Sequence, residues 1–187
     1  MLTTSIIDGF EEVVSNKLSN IEGQGRLKHI FDKQVRLDHE QIKSLLKNPN
    51  IEIKPFLRGA CLIRKDRNLD GVFIEGVNKY PTLLSGVDLN DIENSEIILG
   101  EALASSLSAK IGDKIFLQNF NYSEVSFSSS KILSFKISHI FNSGLQEYDK
   151  NIAYISLKKA QILFGLDSNE VTGLIVEGDN NPNIDVP

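Results

Sequence analysis

The chain has 187 residues and a net charge of −5, with 20 Lys and Arg interspersed among 25 Asp and Glu. That length holds one domain, or two small lobes, with a real core; the interspersed charge excludes a nucleic-acid surface, which needs clustered Lys and Arg, and gives no reason to expect anionic-membrane binding. Hydrophobic residues make up 41%, yet no apolar run approaches the roughly 20 residues that a membrane-spanning helix needs. The single Cys61 cannot form an internal disulfide, and within GACLI it reads as a buried, inert thiol. The N-terminus lacks the basic stretch, apolar run and small-residue cleavage site of a signal peptide.

In chain order, Ile7, Phe10, Val14, Leu18 and Ile21 share one helical stripe, which Gly23 and Gly25 stop, predicting an amphipathic helix. Arg26 to Asp32 reads as a strand. Asp38 with Gln41 forms a capping-box pattern that opens a short helix, with Ile42, Leu45 and Leu46 inward, and Asn48-Pro49 ends it. Ile51 to Lys65 and Gly71 to Val77 favour β structure and flank the turn DRNLDG, which predicts a hairpin. An acidic loop containing Asp88, Asp91, Glu93 and Glu96 leads to a short strand, Ile97 to Leu99. Gly100 admits a helix from Glu101 whose Leu103, Leu107 and Ile111 share a face, and Gly112-Asp113 turns the chain into a strand over Lys114 to Gln118. From Ile132 to Phe141, Leu133, Phe135, Ile137, His139 and Phe141 alternate with Ser134, Lys136 and Ser138, predicting a strand with one buried face. Ser156 caps a helix that packs Leu157, Ala160 and Phe164, Gly165 terminates it, and Gly173 to Glu177 forms a last strand. The tail NNPNIDVP has the polar, Pro-containing character of a linker.

Chemistry-bearing motifs fall short one by one. Asp66, Asn68, Asp70 and Gly71 match the first half of a calcium loop, but its twelfth position, where a bidentate Glu belongs, is Val77, and the flanks read as strands. His29, His39 and His139 have no zinc spacing, and His139 reads as a core histidine bonded to backbone. Glu147 with Asp149, and Asp88 with Asp91, lie in stretches read as polar loops, whereas acid–base work needs one carboxyl desolvated. Ser126 to Ser130 holds a run of serines with no GxSxG elbow, and no GxxxxGK[ST] loop occurs. The expectation is a domain with no catalytic residue, metal or cofactor of its own.

What remains is the loop between two strands, Asn119 to Lys131. Phe120, Tyr122, Val125 and Phe127, set among Asn121, Ser123, Glu124 and Ser126 and followed by Lys131, suit an adaptable recognition surface. The same aromatic residues equally suit strands continued inward to the core.

Four pieces occur in order: ILGEALA opening a helix, GDK turning into a strand, SGLQEYD after the next strand, and AYISLKKAQILFGL closing the run. Together they resemble the periplasmic domain of the lipoprotein-releasing permeases (LolC/LolE type), within the MacB-like family of ABC-transporter permeases. The resemblance implies an α+β fold of two lobes: a membrane-proximal lobe from residues 1–77 and 153–187, and a β-rich distal lobe over 78–152 inserted between them. It implies a non-catalytic domain between the first and second transmembrane helices, with TSIIDGFEE leading out of the first and Met1 a fragment start. Implied partners are a periplasmic lipoprotein carrier, a second permease subunit, a cytoplasmic ATPase subunit and the lipoprotein cargo. The carrier-docking hook of the family corresponds to Phe120 through Ser130, and the pad at its base to Phe116, Ile132 and Leu133. Those three are apolar here and the hook lacks its stiffening prolines, so the chain resembles the other permease of the pair at least as well. Related domains also continue past this point with another helix and strand. A MacB-type efflux permease with the same domain is the nearest alternative, and a stand-alone hydrolase using a carboxylate pair the alternative from another class.

Overall fold

The computed structural model describes residues 25–28, 34–38, 40, 51–78, 95–119 and 131–178. The helix expected over residues 7–21 and the one expected after Asp38 lie outside the described residues. In chain order the elements are β1 (Gly25–Lys28), β2 (Val35–Arg36), β3 (Ile51–Lys65), β4 (Asn68–Val77), β5 (Glu96–Gly100), α1 (Glu101–Ser106), β6 (Lys114–Asn119), β7 (Ile132–Phe141), α2 (Gln146–Asn151), β8 (Ile152–Ser156), α3 (Leu157–Phe164), β9 (Glu170–Val171) and β10 (Gly173–Gly178). The β3–β4 hairpin forms as its sequence predicts, with a tighter turn. Lys65 pairs with Asn68, so Asp66 and Arg67 alone reverse the chain, and Asp66 takes φ 53°, a region that Asp tolerates because its short side chain bonds locally. Ser156 caps α3 by accepting from the Lys159 N–H, and Gly165 ends it at φ 70°, both as expected.

The length of β3 organises the sheet. Along one edge it pairs with β4; along the other its first part pairs with β10 and its last part with β6. The order β3-β4-β8-β5-β7-β6 therefore returns to β3 and closes a six-stranded barrel, which β10 and β1 extend on one side. The two halves of the barrel share a plan. Strand β5 runs into α1 and pairs parallel with β7 of the β6–β7 hairpin, while β8 runs into α3 and pairs parallel with β4 of the β3–β4 hairpin. Antiparallel pairs β5–β8 and β3–β6 join the halves. Strands from 78–152 and strands from the flanking segments thus share one sheet.

Inward positions of all six strands supply one core, among them Ile63, Ile74, Leu99, Leu117, Phe135 and Ile155, which Leu103 of α1 and Leu157, Ala160 and Leu163 of α3 complete. Burying such a side chain stabilises by about 1.5–3 kcal/mol. A second cluster lies outside the barrel wall, where Phe56, Ile98, Phe141 and Tyr154 meet.

The expected single face of β7 does not hold along its length. Ile97 pairs with Ile137 but Ile98 pairs with His139, so Ser138 is an extra residue at a bulge, and an inserted residue sends every later side chain to the opposite face. Leu133, Phe135 and Ile137 face the barrel core and Ile140 joins them, while Phe141 belongs to the outer cluster. His139 is half-buried, and in place of the expected backbone bond its buried Nδ1 has no hydrogen-bond partner among the described residues. Helix α1 also ends early: Ser108 takes φ 50°, and Ile111, expected beside Leu103 and Leu107, is 62% exposed. Finally, the stretch of Glu147 and Asp149, read as a polar loop, forms α2, in which Asp149 is buried.

Candidate functional site

Phe120, Asn121, Tyr122, Ser123, Glu124, Val125, Ser126 and Phe127 lie outside the described residues; Lys131 is described and exposed. The Asn119 N–H donates to the Lys131 carbonyl at 3.4 Å, and the buried Asn119 side chain donates to the Leu163 carbonyl at 3.3 Å, which ties the end of β6 to α3. Of the three positions at the base, Phe116 is half-buried and Ile132 is 57% exposed on the outer wall. Leu133 instead packs against the barrel core, since neighbouring strand residues point to opposite faces. Two cations flank Phe116: Arg64 Cζ is 5.2 Å and Lys114 Nζ 5.4 Å from its ring centre. Arg64 carried no signal in the sequence; only the β3–β6 pairing, which sets Arg64 opposite Phe116, brings it there.

The SGLQEYD segment makes a second feature, a compact turn. Gly144 takes φ 76°, Asn142 Oδ1 accepts from the Gly144 N–H at 2.8 Å, and both carboxylate oxygens of Asp149 accept from the Ser143 N–H at 3.0 and 3.2 Å. Asn142 also donates to Glu101, which joins the turn to α1. Gly100 permits the close approach of the α2 backbone, because a Cβ there would collide with the Asp149 carbonyl. Between α1 and the turn lies an open polar cleft of about 460 Å³, lined by Glu101, Ser105, Gln146 and Lys150 among others. Asp149 is thus occupied in holding a turn, and its hydrogen-bonded carboxylate is not placed as an acid or base.

The calcium-like segment is also used structurally. Asn68 donates to the Leu107 carbonyl at 2.9 Å, Asp70 accepts from Ser106 Oγ at 3.1 Å, and Asp66 stands 3.6 Å from Lys65. The three side chains serve three different partners, and among the described residues no group of three His, Cys, Asp or Glu could hold a metal ion. Burial pushes the Cys61 thiol up to about 12, which keeps it protonated and unreactive. Burial also raises Tyr154, whose hydroxyl is bonded to that of Tyr148. What the described residues offer is a closed barrel in which β6 and β7 pair side by side.

No model of a known protein family matches the chain. It is similar to the lipoprotein-releasing system transmembrane protein LolC of Neisseria meningitidis serogroup B, with 22% identity over 188 residues covering 93% of this chain. The chain spans 44% of that relative's length. Among solved structures it is similar to the periplasmic region of MacB from Actinobacillus actinomycetemcomitans, at TM-score 0.58 and 11% identity over 89% of this chain and 80% of that one. It is also similar to the extracellular domain of the ABC-type transporter YknZ from Gram-positive bacteria, at TM-score 0.53 and 12% identity over 79% of this chain and 74% of that one. The chain has the mixed α/β, strand-rich fold of MacB-like periplasmic domains.

Proposed function

We propose that the chain is the periplasmic domain of an inner-membrane ABC-transporter permease that releases lipoproteins from that membrane and passes them to a periplasmic carrier. The observation that favours lipoprotein release over efflux is the sequence likeness to LolC along 93% of the chain, against a likeness to MacB that is one of fold at 11% identity. On this reading the domain does no bond chemistry. A cytoplasmic ATPase subunit hydrolyses ATP, and the permease converts that into displacement of the domain relative to a second permease subunit. Residues 1–77 and 153–187 then serve the membrane-proximal side, and 78–152 presents the docking hairpin. A closed barrel with one close-packed core suits this task, because such interiors resist compression and transmit displacement. The hairpin residues Phe120 to Phe127, with Lys131, are the docking site for the carrier or the second permease.

The test is reconstitution of the full-length permease with its ATPase in vesicles loaded with a fluorescent lipoprotein. ATP should release the lipoprotein into solution only when the carrier is present. Release that ignores the carrier, or ATP-driven export of small molecules with no lipoprotein release, would replace this reading with efflux.

A further inference from the structure

The open cleft between α1 and the turn at residues 142–150 has a volume of about 460 Å³, inside the range of about 300–1,000 Å³ usual for ligand sites. Bonds within the fold fix both of its walls. Gly100 lets the α2 backbone stand against the start of α1, and Asn142 donates to Glu101 between the turn and α1. Within the turn the Ser143 N–H donates to Asp149, the Leu145 N–H to Ser143 Oγ at 3.0 Å, and the Asp149 N–H to the Leu145 carbonyl at 2.9 Å. The side chains of Asn142, Ser143 and Asp149 are thereby used. Those of Ser105, Gln146 and Lys150, which also line the cleft, are exposed and make no bond among the described residues. They offer a hydroxyl, an amide that both donates and accepts, and an ammonium. Glu101 gives one carboxylate oxygen to Asn142 and keeps the other. Among the described residues lining the cleft, Ala102 alone has an apolar side chain.

We propose, resting on the reading that the permease releases lipoproteins, that this cleft takes a short extended stretch of the lipoprotein's polypeptide. The chemistry of the walls selects that occupant. An acyl chain gains nothing there, because its removal from water is driven by burial against apolar groups. A lasting contact with the second permease subunit calls for a desolvated apolar centre with aromatic anchors, and the lining holds neither. A peptide main chain presents one N–H and one C=O per residue, which the Ser105 hydroxyl and the Gln146 amide meet in both senses. Glu101 and Lys150 add a place for a basic and for an acidic side chain. Contacts to the main chain read what all polypeptides share, so one cleft serves cargoes of different sequence. Hydrogen bonds that replace bonds to water are individually weak, so the segment is held and let go, as a transfer step requires.

The experiment places a photoreactive benzoylphenylalanine at Gln146, or as control at the exposed Lys158 of α3, in the full-length permease. Vesicles then hold that permease with its ATPase, the second permease subunit and a lipoprotein. Illumination during ATP turnover should crosslink position 146 to the lipoprotein and leave position 158 without that product. Crosslinks from 146 to the second subunit or to the carrier overturn the proposal, and so does the absence of any crosslink or an equal yield from both positions. In the same vesicles Ser105→Ala with Gln146→Ala should slow lipoprotein release at least about threefold, since each lost hydrogen bond weakens the hold on the segment. Release at the wild-type rate overturns the proposal and leaves lipoprotein release standing. If the double variant melts lower than wild type, Gln146→Ala alone is measured and decides. Should wild-type vesicles release no lipoprotein, the reading beneath the proposal fails. The cleft is then decided by titrating the chain with an unacylated synthetic peptide copying the lipoprotein's first residues: amide shifts confined to residues 101–106 and 142–150 support peptide binding, and no shifts, or shifts elsewhere, sink it.

Discussion

Arg26 donates to both carboxylate oxygens of Glu75, at 3.1 and 2.9 Å, across 49 residues of sequence. Glu75 is fully buried, Arg26 also lies 4.6 Å over the Phe56 ring, and Arg58 Nε approaches the same carboxylate at 3.8 Å. Strand β1 contributes four residues to the sheet, where it pairs with β10, and this ion pair ties it across to β4 of the barrel. Removing one partner leaves a buried charge uncompensated, which costs about 3–5 kcal/mol. Arg26→Ala should fall near the lower end, since Arg58 can move in, and Glu75→Gln should cost less because an amide keeps some of the bonds. The double variant measured by denaturant melts should cost less than the two singles together. Additivity within about 0.5 kcal/mol would mean that the pair does not couple β1 to the barrel.

Helix α3 reaches the barrel through Gly76, where a Cβ would collide with that of Ala160 and come within 3.3 Å of the Leu157 backbone. Gly76→Ala should therefore destabilise by about 1–3 kcal/mol, the usual cost of overpacking. Adding Ala160→Gly should recover part of the loss, less the roughly 1 kcal/mol that glycine costs inside a helix. If Ala160→Gly only deepens the loss, the helix does not rest on that point.

Local signals in the sequence were enough for some elements and blind to others. Ser156 and Gly165 act within a turn of the helix they bound, and the β3–β4 hairpin is written in two β-rich runs around a turn. The bulge at Ser138 left no mark, because polar and apolar residues keep alternating straight through it while the backbone changes faces. Helix α2 was hidden by its composition: in QEYDKN no apolar stripe announces a helix, and what holds it to the fold is the bond from the Ser143 N–H to Asp149 together with Tyr148, which packs against the outer cluster and bonds Tyr154. The Arg26–Glu75 pair and the setting of Arg64 over Phe116 depend on strand order, which no local pattern carries. Of the segment proposed for docking, the sequence marked the aromatic content, and the structure separates the flanking positions into an outward Phe116 and Ile132 and an inward Leu133.

Asp113 makes a pH-dependent contribution whose sign can be checked. Its carboxylate accepts from the Lys110 N–H at 2.9 Å and lies 3.2 Å from Lys65 Nζ. The backbone bond first, then Lys65, hold its pKa below the ordinary 3.8. A carboxylate depressed in the folded state adds stability that is present above its unfolded pKa and is lost as pH falls through the folded one. A side-chain amide mimics the protonated carboxyl, so Asp113→Asn should lower the melting temperature near about pH 7 and cease to matter near about pH 2. An equal deficit at both values would assign the effect to packing.

The loop itself gives the sharpest test of docking. Aromatic anchors dominate interface energy, while substitutions at exposed positions usually change stability by less than about 0.5 kcal/mol. If Phe120, Tyr122 and Phe127 are recognition residues, replacing all three by Ser should leave the melt within about a degree or two of wild type. The same variant should lose measurable binding to the lipoprotein carrier or the second permease in a titration. A melt lowered by many degrees would place the aromatics in the core and remove them from the docking site. A stable variant that still binds would move recognition to the turn at Ser143 to Lys150, whose bonded backbone and adjoining polar cleft already form an ordered surface.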